Sequence, residues 1–204
     1  MIFFPGLIII CGEFNMKITG GIYKGRKISI RKDVNTRPIT SKVLQAIFDI
    51  LGDRIIDSYF LDLFSGTGIV GIEAISRGAR KVYFIDIESK AISNILYNLK
   101  TLKHPKENSQ FKNVEVWNRD VFRAVMKLSE QMKFDIIFAD PPFFSGMAEK
   151  ILDVVDSVAK KLLSPSSLFI LRKNVKESIE YEPKNLILKD TRRYGKSEVL
   201  FYSI

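Results

Sequence analysis

An α/β fold, in which a mostly parallel sheet carries helices on both faces, follows from three observations. From Tyr59 onward, short apolar runs alternate with segments of helical period. Several of these runs are apolar nearly throughout, as in Phe134-Asp135-Ile136-Ile137-Phe138-Ala139. That is the pattern of strands covered on both faces, not on one. A glycine-rich turn and an Asp-Pro-Pro turn each stand directly after such a run, where open α/β sheets place their ligands.

The elements follow in order. Lys17-Ile18-Thr19 and Arg26-Lys27-Ile28-Ser29-Ile30 alternate about a glycine-rich turn, as a β-hairpin does. Thr36-Arg37-Pro38-Ile39-Thr40 leads into a helix with Thr40 or Ser41 as N-cap and Val43, Leu44, Ile47, Phe48 and Leu51 on its apolar face. Strands are predicted at 59–64, 81–86, 112–117, 134–139 and 167–172, and helices near 68–77, 88–102, 120–130 and 146–162. Leu186 to Leu188 and Val199 to Tyr202, around Tyr194-Gly195-Lys196, read as a closing antiparallel hairpin that brings the sheet to seven strands.

The chain has 204 residues, enough for one full core, and 46% of them are hydrophobic, which excludes a largely disordered protein. Cys11 is the single cysteine, which rules out an internal disulfide framework and a thiolate zinc cluster and fits a reducing cytoplasm. The only histidine, His104, lies between periodic segments in Lys103-His104-Pro105-Lys106 and reads as a solvated loop residue. No metal site is expected. The formal net charge is +9, and much of it is concentrated between Lys17 and Lys42, where Asp33 is the lone acid. Lys24, Arg26 and Lys27 are interleaved with Gly20, Gly21, Tyr23 and Gly25, and Arg37 follows in Thr36-Arg37-Pro38. A basic hairpin of this kind suits a phosphate backbone; a solvated basic face is the plainer alternative.

Residues 1–15 are apolar but contain no Lys or Arg, so the positive start of a signal peptide is missing, and Pro5-Gly6 interrupts a run too short to span a bilayer. They are expected to be an untranslated or unstructured leader, with the protein proper starting at Met16. Residues 16–57 then form a basic hairpin-and-helix extension, and 58–204 the main α/β domain. No other segment reads as a membrane span.

Gly66-Thr67-Gly68-Ile69-Val70-Gly71 fits G-x-G-x-x-G, and Asp86 follows about 20 residues later, where nucleotide-binding folds place an acid for ribose hydroxyls. A dehydrogenase shares both features. Asp62, just ahead of the first glycine in Asp62-Leu63-Phe64-Ser65-Gly66, is where methyltransferases place an acid facing the methionine end of S-adenosylmethionine. No His, Tyr-x-x-x-Lys or cysteine downstream suits hydride chemistry, so the methyl donor is the expected cofactor. Phe64, Gly68 and Ile87 belong to the same pocket. Asp120 follows the third strand, where its carboxylate can accept from the adenine amine beside the backbone of Val121; it also serves as an N-cap for the next helix.

Asp140-Pro141-Pro142-Phe143 ends the strand at 134–139. Methyl transfer to a base amine needs positioning far more than acid–base power. Asp140 and the carbonyl of Pro141 can accept the two amine N–H groups, the prolines stiffen the turn and offer no competing amide donors, and Phe143 offers a face to a splayed-out base.

Together these segments resemble the RsmD family of bacterial 16S ribosomal RNA guanine-N2 methyltransferases. The resemblance runs from about Met16 to the C-terminus through MKITGGIYKGRKI, TRPITSKVLQAIFDIL, LDLFSGTGIVGIEAISRGA, VYFIDIE, DPPF and RRYGKSEVLFY. It implies a class I methyltransferase fold that binds S-adenosylmethionine through Asp62, Gly66, Gly68, Asp86 and Asp120. It also implies a catalytic turn at Asp140 to Phe143, a hairpin and Arg37 that touch RNA, and guanine 966 of 16S rRNA in the small subunit as target. A cytoplasmic monomer is expected. The chain departs from the family in having Phe143 where Tyr is common, Ser166-Ser167 where a glycine pair is usual, and Arg172 near an acidic position. A DNA adenine-N6 methyltransferase shares the DPPF logic but would carry a larger target-recognition region than this hairpin. An inert RNA-binding assembly factor on the same fold would have no need of acids at 62, 86, 120 and 140.

Overall fold

The computed structural model describes residues 14–30, 39–102 and 113–204. Cys11, Arg37 and His104 lie outside the described residues.

Seven strands form one sheet in the order β5-β4-β3-β6-β7-β9-β8. They are β3 (Tyr59–Leu63), β4 (Lys81–Asp86), β5 (Val114–Asn118), β6 (Phe134–Ala139), β7 (Leu163–Asn174), β8 (Ile187–Tyr194) and β9 (Ser197–Ser203). The first five run parallel; β9 is antiparallel to both β7 and β8, closing the sheet with the expected hairpin. A separate two-stranded unit, β1 (Phe14–Lys17) with β2 (Lys27–Ile30), precedes it. The helices are α1 (Ser41–Leu51), α2 (Ile69–Ser76), α3 (Ser89–Thr101), α4 (Val121–Ser129), α5 (Met147–Ser157) and α6 (Ala159–Leu162). Among the described residues no helix is long and apolar enough to cross a membrane.

Alternate residues of each strand feed two cores, which is why the strands read as unbroken apolar runs. Phe60, Phe84, Phe138 and Phe201 point into one core with α1, α2 and α3. Leu61, Ile85, Ile137 and Tyr202 point into the other with α4, α5 and α6. Met16, Ile18, Tyr23 and Ile28 of the hairpin are buried in the first core, so the hairpin packs onto the sheet's own layer of helices.

Three details differ from the sequence reading. Strand β1 starts at Phe14, inside the segment set aside as a leader, because Phe14 and Asn15 pair with Ile30 and Ser29 through backbone groups that need no particular side chain. The helix expected across 146–162 breaks at Val158, whose φ of −116° and ψ of 11° leave the helical basin. Strand β7 extends well beyond 167–172 at its N-terminal end, with Ser166 in the left-handed region at φ 65° and a register shift against β6. Thr40 is the N-cap of α1, its side chain accepting from the Val43 amide at 3.4 Å.

Candidate active site

In the strand order β4-β3-β6-β7, chain direction through the sheet reverses around β3 and β6, and their carboxyl ends open the crevice where doubly wound sheets bind ligands. A cavity of about 800 Å³ lies there, within the size range of small-molecule sites. Asp62, Phe64, Gly66, Asp86, Ile87, Asp120 and Val121 line it, and so do Asp140, Pro141, Pro142 and Phe143. The two groups of residues inferred from separate turns therefore share one space.

The glycine turn is shaped by the sheet beneath it. Phe64 and Gly66 take positive φ, 58° and 51°, which turns the chain sharply after β3, and Gly68 at φ 77° starts α2. A Cβ on Gly68 would stand 2.9 Å from the Ile95 side chain, and one on Gly71 2.3 Å from the Phe84 ring, so Gly71 allows α2 to lie flat on β4. Asp86 fastens the turn from the neighbouring strand: one carboxylate oxygen accepts from the Gly66 amide at 2.8 Å and the other from Glu88 at 2.9 Å. Asp62 faces the α2 side of the sheet and accepts from the Gly71 amide at 2.9 Å. Asp120 caps α4 by accepting from Arg123 at 3.0 Å and still lines the cavity, so its two expected roles are compatible. Ile87 is 62% exposed at the rim, its carbonyl held by Asn118 at 2.8 Å.

Burial raises the carboxyls here. Asp62 stands well above the ordinary carboxylate range because it is desolvated; the Gly71 amide opposes this, and the charges of Asp140 and Asp86 add to it. Asp86 is raised by burial against its amide donors at Glu88 and Gly66. Burial pushes Asp140 up to about 6 even with Arg172 pulling the other way. Such a cluster of reluctant anions favours a cationic ligand.

In the Asp-Pro-Pro-Phe turn, Pro141 is buried and Pro142 exposed. The Pro142 carbonyl accepts from Ser145 Oγ, and the Phe144 amide donates to Glu177 at 3.0 Å, which ties the turn down on its far side. Sequence reasoning marked Arg172 as a departure from the family and gave it no role in the site, where its Nη1 donates to Asp140 Oδ2 at 2.5 Å and its guanidinium lies 5.0 Å from the Phe143 ring centroid. A cation inside the apolar run Leu168-Phe169-Ile170-Leu171 was the available signal, since Arg is almost never buried without a partner. Phe122, Phe144 and Met147, which also line the cavity, had no comparable mark.

Lys24, Arg26 and Lys27 are exposed on the hairpin. Its turn docks on the last residues of α2, where the Ile22 amide donates to the Ser76 carbonyl at 2.8 Å and that of Tyr23 to Ser76 Oγ at 2.9 Å. That is the end of α2 remote from the glycine turn, in a helix roughly 12 Å long.

This sheet order, with the glycine turn and the Asp-Pro-Pro-Phe turn at adjoining strand ends, defines a class I S-adenosylmethionine-dependent methyltransferase. The family described as conserved hypothetical protein 95 matches residues 16–203. Ribosomal RNA small subunit methyltransferase D of Buchnera aphidicola (Acyrthosiphon pisum strain) is 34% identical over 171 residues, covering 84% of each chain. The Escherichia coli K12 protein of the same name is 27% identical, covering 94% of this chain and 91% of its own. The solved structure of Escherichia coli yhhF superposes with a TM-score of 0.75 at 27% identity, covering 92% of this chain and 97% of that one. The chain belongs to this family, the RsmD methyltransferases.

Proposed function

We propose that this enzyme is a ribosomal RNA methyltransferase that moves the methyl of S-adenosylmethionine to the exocyclic N2 amine of a guanine in 16S rRNA, guanine 966, within the small ribosomal subunit. The observation that carries the reading is the placement of Asp140-Pro141-Pro142-Phe143 in the same cavity as the glycine turn, across the junction of β3 and β6.

The donor set suits the cofactor. Asp62 is oriented by the Gly71 amide toward a positively charged methionine amino group, Asp86 keeps lone pairs free for ribose hydroxyls, and Asp120 with the Val121 backbone receives the adenine. The cofactor supplies an electrophilic methyl on a sulfonium that leaves as a neutral thioether. The protein aligns the amine: Asp140 and the Pro141 carbonyl accept its N–H bonds, which draws the lone pair out of conjugation and along the line of transfer. That pair becomes the new N–C bond, and the nitrogen then sheds one proton to solvent. Phe143 stacks the extruded base on the ring face that Arg172 leaves open. Lys24, Arg26, Lys27 and Arg37 hold the surrounding phosphates, with the basic tip set back from the cavity as a backbone contact requires.

The test is transfer of labelled methyl from S-adenosylmethionine, offering naked 16S rRNA, small subunits from a strain lacking the modification, and duplex DNA in parallel. Label mapped to guanine N2 in the subunits is the expected result. Label on DNA adenine would retain the catalytic turn and overturn the substrate. Asp140→Ala is expected to abolish turnover with cofactor affinity within about threefold of wild type, a change under 1 kcal/mol.

A further inference from the structure

Arg172 ends the apolar run of β7 only 2% exposed, and its guanidinium makes three kinds of contact at once. Nη1 donates to Asp140 Oδ2 at 2.5 Å. Nε and Nη2 both donate to Ser197 Oγ on β9, at 3.2 Å and 3.0 Å. The guanidinium also lies over the Phe143 ring, 5.0 Å from its centroid. Resting on the assignment of residues 140–143 as the catalytic turn, we propose that Arg172 is a positioning residue for methyl transfer, fixing which oxygen of Asp140 and which face of Phe143 meet the target amine.

A carboxylate on its own can turn about its last torsion and present either oxygen. The guanidinium engages Oδ2 and leaves Oδ1 to accept from the substrate. It also covers one face of Phe143, which confines the base to the other. Ser197 prevents the guanidinium from following the carboxylate, because its hydroxyl holds the opposite side of the planar fork. A lysine could satisfy Asp140 or Ser197, not both.

The same contact bears on ionisation. The charged groups lining the cavity around Asp140 are Asp62, Asp86, Glu88 and Asp120 on the acidic side and Lys90 and Arg172 on the basic side. Asp62 on the adjoining strand couples to Asp140 through space, and Arg172 is the cation in contact with it. Without Arg172 the carboxyl gains its proton at higher pH, and a protonated oxygen no longer accepts reliably from the amine.

The experiment measures kcat and KM from pH 6 to 8.5 for the full chain and for Arg172→Gln, Arg172→Lys, Ser197→Ala and Asp140→Ala, on whichever nucleic acid accepts label, with cofactor binding as the check of folding. For Arg172→Gln, kcat is expected to fall about 100-fold at pH 7, as for a misplaced reacting group. Part of that loss returns at pH 8.5, the acidic limb moves to higher pH, and KM changes little. Arg172→Lys should keep the limb nearer its original position while kcat stays low. Ser197→Ala should lower kcat about tenfold with the limb unmoved, one hydrogen bond's worth of alignment. A loss in Arg172→Gln that is equal at every pH, or confined to KM, overturns the proposal. If that variant does not fold, wild-type kcat in Ser197→Ala overturns it instead. Wild-type turnover in Asp140→Ala would overturn the catalytic turn itself, whereas an inactive Asp140→Ala beside a fully active Arg172→Gln removes only the role of Arg172.

Discussion

Glu73, wholly buried on α2, holds Thr19 of the basic hairpin through two bonds of 2.7 Å, one from the amide and one from the hydroxyl. Arg77, one turn along, donates to the same carboxylate at 2.7 Å and to Thr19 Oγ1 at 3.0 Å. The hairpin is thus fastened to the methyltransferase body by a buried charged network and not by apolar packing alone. Glu73→Ala leaves Arg77 and two Thr19 donors without their acceptor. It is expected to cost about 3 kcal/mol, which is about 10 °C in melting temperature for a chain of this size. Glu73→Gln, which keeps one acceptor oxygen, should cost less than half of that. Cofactor affinity measured on the folded variant should stay near wild type, because Thr19, Glu73 and Arg77 do not line the cavity.

Gly71 gives the sharpest packing prediction. An added Cβ would meet Phe84 Cε1 at 2.3 Å and Cζ at 2.6 Å, and Phe84 is a fully buried ring in the middle of β4. Gly71→Ala is expected to destabilise by about 2 kcal/mol through overpacking, and to lift α2 so that the Gly71 amide moves off Asp62. Phe84→Leu in the same chain vacates the space. A thermal-melt double-mutant cycle should then show a favourable coupling of about 1 kcal/mol, and strict additivity would contradict the packing account.

Most of the sheet and the glycine turn were legible because each rests on local chemistry. Burial on both faces wrote the strands as apolar runs, Gly66 and Gly68 marked a glycine turn, and Asp140-Pro141-Pro142 marked a strand end. What escaped depends on contacts between distant residues. Arg172 is joined to Asp140 across β6 and β7 and to Ser197 across β9, and sequence alone gives no register between those strands. Likewise the docking of the hairpin turn on Ser76 and Arg77 was invisible, since Gly21 shows itself only as a turn former and not as a residue pressed against the Ser76 carbonyl. The break at Val158 was missed because the apolar period continues through it into α6.

The hairpin's cations make a prediction about salt. Arg26 lies 5.3 Å from the Tyr23 ring centroid, which props the side chain outward beside exposed Lys24 and Lys27. If the tip lies along a phosphate backbone, Arg26→Glu with Lys27→Glu should weaken RNA binding about 100-fold at low salt. The slope of log affinity against log salt should fall by about two, one for each phosphate contact removed. Cofactor binding should not change. A drop in cofactor affinity with an unaltered RNA salt slope would contradict a role in RNA contact.

Asp62 should show a conflict between stability and binding that depends on pH. Its carboxyl is buried with no cation in contact among the described residues, and burial raises its pKa well above the ordinary range. In the pH window between the ordinary carboxylate value and the raised one, the folded chain holds a proton that the unfolded chain has released. Stability from this group is therefore undiminished at low pH, declines as pH rises through that window, and stays diminished above it. Asn at this position keeps an acceptor for the Gly71 amide and carries no charge. Asp62→Asn is accordingly expected to melt higher than wild type at pH 7.5 in the absence of cofactor, by about 2–4 °C for each kcal/mol released. The two melting curves should converge below the ordinary carboxylate value, where the aspartate is protonated in the folded and the unfolded chain alike. If Asp62 receives the methionine amino group as proposed, the same variant should bind S-adenosylmethionine at least about tenfold more weakly, through loss of that charge-assisted contact. Equal melting temperatures at pH 7.5 would mean that Asp62 is not held at a cost, and unchanged cofactor affinity would move the methionine amino group to another acid in the cavity.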